Sequence, residues 1–215
     1  MSVFGFVPDY AVLLAFSGAA FALWLTPGPD MMLMISKVMS EGRAAAFACL
    51  FGINAGIVVH AFLAALGVSA LMLASPQAFF ALKVCGALYL CWLGVGAIRS
   101  GSKLNVAAHG GPAETSLTVR KNFLVGLGIN LTNPKIIFFF ITFLPQFVSA
   151  GDPRAWGKLL FLGLYFVVFT MPFSAALILV AQQFVGVLQR RPALLRLFDY
   201  LFAVIFISFA VLLLF

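Results

Sequence analysis

Between Trp156 and Val187 the chain runs for 32 residues with a single charged side chain, Lys158. A helix needs only about 20 residues to cross a hydrocarbon core about 30 Å thick. Runs of the same character recur along the chain, and no soluble core could hide them all, because 64% of the 215 residues are hydrophobic and 9% are charged. Inside a bilayer the backbone must satisfy its own polar groups, so such runs are helices or closed barrels. The short in-and-out alternation of barrel strands is missing here. A chain of this kind is expected to be an all-α, polytopic membrane protein.

Six spans are predicted, at roughly Tyr10 to Met39, Ala44 to Leu73, Phe79 to Ile98, Phe123 to Val148, Trp156 to Val187 and Leu195 to Phe215. The loop from Arg99 to Lys121 carries Gly110, Gly111, Pro112 and Glu114, and looks like a polar linker between two halves. The chain then divides into residues 1–99, a linker at 100–120 and residues 121–215. The net charge of +7 sits in short loops and offers no basic face for nucleic acid. It sets topology instead. Nine Lys and Arg residues follow spans one, three and five, among them Lys37, Arg43, Lys103, Arg190, Arg191 and Arg196, and only Lys83, Arg154 and Lys158 lie on the other side. The positive-inside rule then places both termini outside. No Lys or Arg precedes Lys37, so the basic region of a cleavable signal peptide is lacking and the first span is expected to stay. Cys49, Cys85 and Cys91 lie in apolar runs without a Cys-x-x-Cys pair, which argues for buried, inert thiols and against a disulfide framework or a metal site.

Two spans contain residues that an uninterrupted helix disfavours. The first holds Leu25-Thr26-Pro27-Gly28-Pro29-Asp30 and the fourth holds Leu131-Thr132-Asn133-Pro134-Lys135. The two Leu-Thr pairs are 106 residues apart, about half the chain. Each half therefore has one broken span followed by two whole ones. Three spans per half invert the second half relative to the first, the inverted-repeat plan of many secondary transporters.

Each break also restarts a helix in the same way. Gly28 and Asn133 suit the N-cap, Pro29 and Pro134 the first helical position, and Asp30 and Lys135 fall at the second. Free N–H groups at such a start attract anionic groups. Asp30 suits the dipole, so a purely structural role is open to it; Lys135 does not, and a charge at mid-membrane costs about 2.5 to 3.5 kcal/mol. Asp30 lies 12 residues from Gly42 and Lys135 lies 14 from Lys121, which puts both roughly 18 to 21 Å deep. The pair is expected to form the polar centre of a substrate site, paired with each other or split between an ammonium and a carboxylate. Thr26, Asn54, Asn130, Thr132 and Asn133 are the further candidates for substrate binding. His60 is a weaker candidate for a proton relay. Gly52 and Gly56 permit close helix approach, and Pro172 should kink span five with Thr170 near the freed carbonyl.

These motifs resemble the LysE/RhtB family of amino-acid exporters. The resemblance rests on Pro27-Gly28-Pro29-Asp30, on Gly86-Ala87-Leu88-Tyr89-Leu90 with Gly94, on Asn133-Pro134-Lys135 and on Phe143-Leu144-Pro145-Gln146-Phe147, and it covers essentially the whole chain. It implies efflux of amino acids or close derivatives across the bacterial inner membrane, driven by the proton gradient, with no cofactor. Asp30 is the candidate for proton coupling. The sequence selects no particular amino acid and leaves a homo-oligomeric state open. A membrane-embedded enzyme using Asp30, Lys135 and His60 is the alternative, but such enzymes usually carry more acids or histidines near an interface. A channel or a chaperone-like membrane subunit fits the symmetry without explaining a lysine in the bilayer.

Overall fold

The computed structural model describes residues 5–100, 118–149, 152–190 and 192–214. Every element among them is helical. Helix α1 covers Tyr10–Leu25 and α2 covers Pro29–Glu41. Next come α3, Arg43–Leu63, a π-helical turn at Ala64–Val68 and the short α4, Ser69–Ala74. Helix α5 spans Pro76–Ser100, α6 spans Val119–Leu131 and α7 spans Pro134–Phe138. A π-helical turn at Phe139–Phe143 and a 3₁₀ turn at Leu144–Phe147 prolong α7, and α8, Ala155–Arg190, and α9, Pro192–Leu214, complete the chain. Most of the linker expected at 100–120, with Lys103, Gly110, Gly111, Pro112 and Glu114, lies outside the described residues, as does Arg191.

Three stretches are long and apolar enough to cross a membrane: Arg43–Leu71, Gln77–Gly96 and Ala155–Gln183. Two bent pairs qualify when each is taken as one span, α1 with α2 at 52° and α6 with Pro134–Phe147 at 53°, which makes up to five. The bends fall where Pro27, Gly28, Pro29 and Pro134 interrupt the apolar runs. The expected sixth span coincides with α9, which lies outside that count.

Packing follows the small residues. Gly42, at φ +88°, occupies a backbone conformation that only glycine adopts freely, and it turns the chain from α2 into α3. Helices α3 and α6 approach until their backbones touch: a Cβ on Gly52 would strike the Phe123 carbonyl, and one on Gly126 the Cys49 carbonyl. Gly52 and Gly56 are thus internal packing residues, Gly56 lying against the side chain of Asn130. The resemblance motif in α5 has a similar basis, since Gly86 admits Thr142, Gly94 admits α9 at Ala203 and Tyr89 stacks on Phe138 at 4.0 Å. Two polar ties hold α1 to α8, Ser17 with Tyr165 at 2.8 Å and Trp24 Nε1 donating to Ser174 at 2.9 Å.

Two expectations need correction. Cys49 is buried, but Cys91 is only half-buried and Cys85 is exposed, because Cys85 lies on the exposed stripe of α5 with Leu88 and Trp92 while Cys91 packs partly against the core. Helix α8 passes through Pro172 as one element, and the Thr170 hydroxyl donates to the Phe166 carbonyl at 2.8 Å. The carbonyl that a proline at 172 deprives of its donor is that of Val168, so Thr170 serves a different one.

Candidate functional site

Both breaks restart their helices as the sequence predicts. Gly28 is the N-cap of α2 in extended backbone, with Pro29 first and Asp30 second. Asn133 is the N-cap of α7, and its side-chain oxygen accepts from the Lys135 backbone N–H at 3.1 Å. The threonines also act alike. The Thr26 hydroxyl donates to the Ala22 carbonyl at 2.8 Å and the Thr132 hydroxyl to the Gly128 carbonyl at 2.9 Å, so each closes the last turn of the helix before its break.

The two charged side chains cross over. Lys135 Nζ reaches into the first break and donates to the Thr26 carbonyl at 2.8 Å and the Leu23 carbonyl at 3.2 Å. Those carbonyls close the C-terminal end of α1, where the helix dipole favours a cation. Asp30 Oδ2 in turn accepts from Asn130 Nδ2 at 2.8 Å, close to the second break. No direct ion pair joins Asp30 to Lys135. The lysine therefore has a structural explanation that its sequence position conceals: its partners are backbone oxygens of another helix. Gly28 makes room for it, since a Cβ there would lie 3.1 Å from Nζ and 3.2 Å from Cε.

Around this crossing lies a cleft of about 450 Å³, counted to its open mouth. Asp30 and Lys135 supply its charges, and Asn54, Thr170 and Ser174 its other polar side chains. Its walls are aliphatic on α2 and α3, with Phe166 on α8. Four buried polar atoms in the region have no hydrogen-bond partner: Asp30 Oδ1, Asn54 Nδ2, Asn130 Oδ1 and Asn133 Nδ2. Asn133 turns its amide towards the Asp30 carboxylate, but the contact falls outside hydrogen-bond geometry. Buried polar groups are nearly always paired, so this cluster sets the region apart from the apolar packing around it.

The expected site residues separate into two groups. Asp30, Lys135 and Asn54 line the cleft. Asn130, Asn133 and Thr26 are buried behind it, and Thr132 is exposed with its hydroxyl turned back on α6. His60 is also outside the lining; its Nε2 meets the Asn130 carbonyl at 3.3 Å. The three groups of the enzyme alternative therefore do not converge on one open point. Among the described residues, no three His, Cys, Asp or Glu side chains gather as a metal site. Trp24 and Ser174 also line the cleft and are not among the residues expected there, although an indole beside a break and a hydroxyl two residues after Pro172 are both polar signals in apolar runs. The Leu23 and Thr26 carbonyls had no signal at all, because every residue carries one.

Away from the cleft, α2 is tied to α6 by another polar group. Lys37 pairs with Glu41, and Glu41 accepts from Asn122 Nδ2 at 3.1 Å. Between the 3₁₀ turn and α8, Asp152 accepts from Lys158 and from the Arg154 backbone N–H. The Lys158 hydrogen bond, with the Arg154 bond after it, holds the Asp152 carboxyl below the usual carboxylate range.

The sequence profile of the LysE type translocators matches residues 21–215. A leucine efflux protein of Enterobacter sp. (strain 638) is 31% identical over 191 residues, covering 89% of each chain. A threonine efflux protein of Salmonella typhi is 33% identical over 135 residues, 62% of this chain and 66% of its own length. An uncharacterized membrane protein of Pseudomonas aeruginosa is 39% identical over 136 residues, 62% of each chain. No solved structure matches.

Proposed function

The chain belongs to the LysE type translocator family, and from that premise we propose that it is a secondary transporter exporting amino acids or close derivatives from the cytoplasm of a bacterium. The observation that carries this reading is the cleft at the crossing of the two helix breaks, where Asp30 and Lys135 lie among buried polar atoms that lack partners. Discontinuous helices around a mid-membrane site are the usual way for a transporter to expose backbone and charge to a small polar solute. The efflux of leucine and of threonine by relatives agrees with it.

In this proposal Asp30, Lys135 and Asn54 face the substrate, while Asn130, Asn133, Thr26 and Thr132 hold the frame. The protein has six spans in the inner membrane, built as two inverted three-helix repeats with both termini outside. The near-equal bends of 52° and 53° support the repeat, and the 23-residue α9 supplies the remaining span. Asp30 couples export to the proton gradient, because a carboxylate with one unpartnered oxygen can gain a proton or a ligand at that atom. Counterflow tests the proposal. Proteoliposomes holding the purified chain, loaded with one amino acid at a time, should take up the labelled form, and no exchange with any member of a broad amino-acid panel would sink it.

A further inference from the structure

We propose that the cleft selects amino acids with an uncharged aliphatic or thioether side chain, holding the α-carboxylate at Asn54 Nδ2 and the α-ammonium at Asp30. This deepens the exporter reading and rests on it.

Asn54 Nδ2 is a buried donor without an acceptor, and Asp30 Oδ1 is a buried acceptor without a donor. Both residues line the same cleft. They also share a level in the fold: each is twelve residues from Gly42, one on α2 and one on α3, so the helical hairpin sets them at about the same height. Leaving buried polar atoms unpaired is costly, and the ligand that satisfies both carries one acceptor group and one donor group a short distance apart. An α-amino acid zwitterion is such a ligand. Lys135 is not needed for the carboxylate, because its Nζ is already committed to two carbonyls.

What surrounds this pair sets the side-chain preference. Met31 and Met34 on α2 and Leu50, Ile53 and Ile57 on α3 form a continuous aliphatic wall beside Asp30 and Asn54. Among the described residues, the lining holds no charged group besides Asp30 and Lys135. A lysine or glutamate side chain would bury its charge against this wall without a partner, whereas leucine or methionine would exchange water for apolar contact. An added hydroxyl is rejected less sharply, since such a wall discriminates against it by no more than about 100-fold.

Counterflow of labelled leucine into proteoliposomes of the full chain, with unlabelled competitors, tests both halves. Leucine and methionine should exchange at least tenfold more efficiently than lysine or glutamate. The Asn54→Asp variant should lose leucine exchange by tenfold or more and shift its preference towards leucinamide, whose carboxamide can donate where a carboxylate would be repelled. Lysine or glutamate exchanging as well as leucine would overturn the proposal, as would an Asn54→Asp protein that keeps the wild-type order of leucine and leucinamide. Wild-type competition alone decides the side-chain preference should that variant fail to insert. Absence of exchange with every amino acid would overturn the exporter reading itself, a different and recognisable outcome.

Discussion

The first helix break and the second share a bend to within a degree, 52° against 53°, and the same order of N-cap, proline and charge. Yet they do opposite work. The first break contributes acceptors: the Leu23 and Thr26 carbonyls receive Lys135, and the Gly28 N-cap has no side chain of its own. The second contributes donors: Lys135 itself, and Asn130 just before the break, which donates to Asp30. Asn133 caps its helix with a side chain where Gly28 cannot. One local device, used twice with opposite polarity, becomes a clasp in which each break supplies partners to the other. Gly28 is bare because the lysine stem occupies the space a side chain would take.

Lys135→Met is the hardest blow to this clasp. It strands two buried carbonyls, and hydrogen bonds to a charged group are worth about 1.5 to 3 kcal/mol each. Loss of counterflow together with a lowered melting temperature in detergent is expected; an unchanged melting temperature would break the idea that the lysine joins the two breaks. Asp30→Asn should come next. The variant keeps an oxygen for Asn130 but no charge, so exchange should fall about tenfold or more and its dependence on a pH gradient should vanish. A gradient dependence that survives puts proton coupling elsewhere. Gly28→Ala should reduce exchange several-fold by pushing Nζ off the Thr26 carbonyl, while Gly18→Ala in α1, with open space around it, should leave exchange unaltered. For Asn133→Ala a stability loss of about 1 kcal/mol is expected, and only a few tenths for Asn133→Gly, which would make the second N-cap resemble the first.

The smallest effect belongs to a pair outside the clasp. Asp152 has a depressed carboxyl because Lys158 and the Arg154 N–H bond its charged form. A carboxylate lowered on folding adds stability above its unfolded value, about 3.9, and that stability is lost as pH falls through the lower folded value. Asp152→Asn should therefore matter slightly at neutral pH and not at all in strong acid, when melting curves are compared at the two extremes. The pair is only partly buried, at the edge of the bundle, and ion pairs near solvent are worth little. A large effect here would blur the contrast with the buried charges of the breaks.

Much of this arrangement could be read along the chain. Proline positions placed both breaks, and the fit of Gly28 and Asn133 to N-cap duty was visible in their residue types. The meeting of Asp30 and Lys135 at one cleft was likewise expected from counting residues. Two features resisted. Lys135 looked like a charge in need of Asp30, because sequence shows side chains and not the backbone oxygens exposed by a distant break. Thr132 looked like the twin of Thr26, and the local bonds are indeed alike, but the surroundings differ: Thr26 is buried and Thr132 is exposed. The aliphatic wall beside Asp30 was hidden for another reason, since Met31, Leu50 and Ile57 are ordinary apolar residues in apolar helices until a fold turns them towards one space.

The sequence by itself determined that the chain is helical, where its apolar runs lie and where two of them must break. Those are consequences of hydropathy and of proline geometry, which act within a few residues. Tertiary structure alone decided who satisfies whom. The bonds that close the clasp join residues 100, 109 and 112 positions apart, and no local propensity reaches that far. What brings them together is the close contact of α3 with α6 at Gly52 and Gly126 and the seating of the Lys135 stem over Gly28. Packing, not pattern, turned two similar interruptions into one clasp.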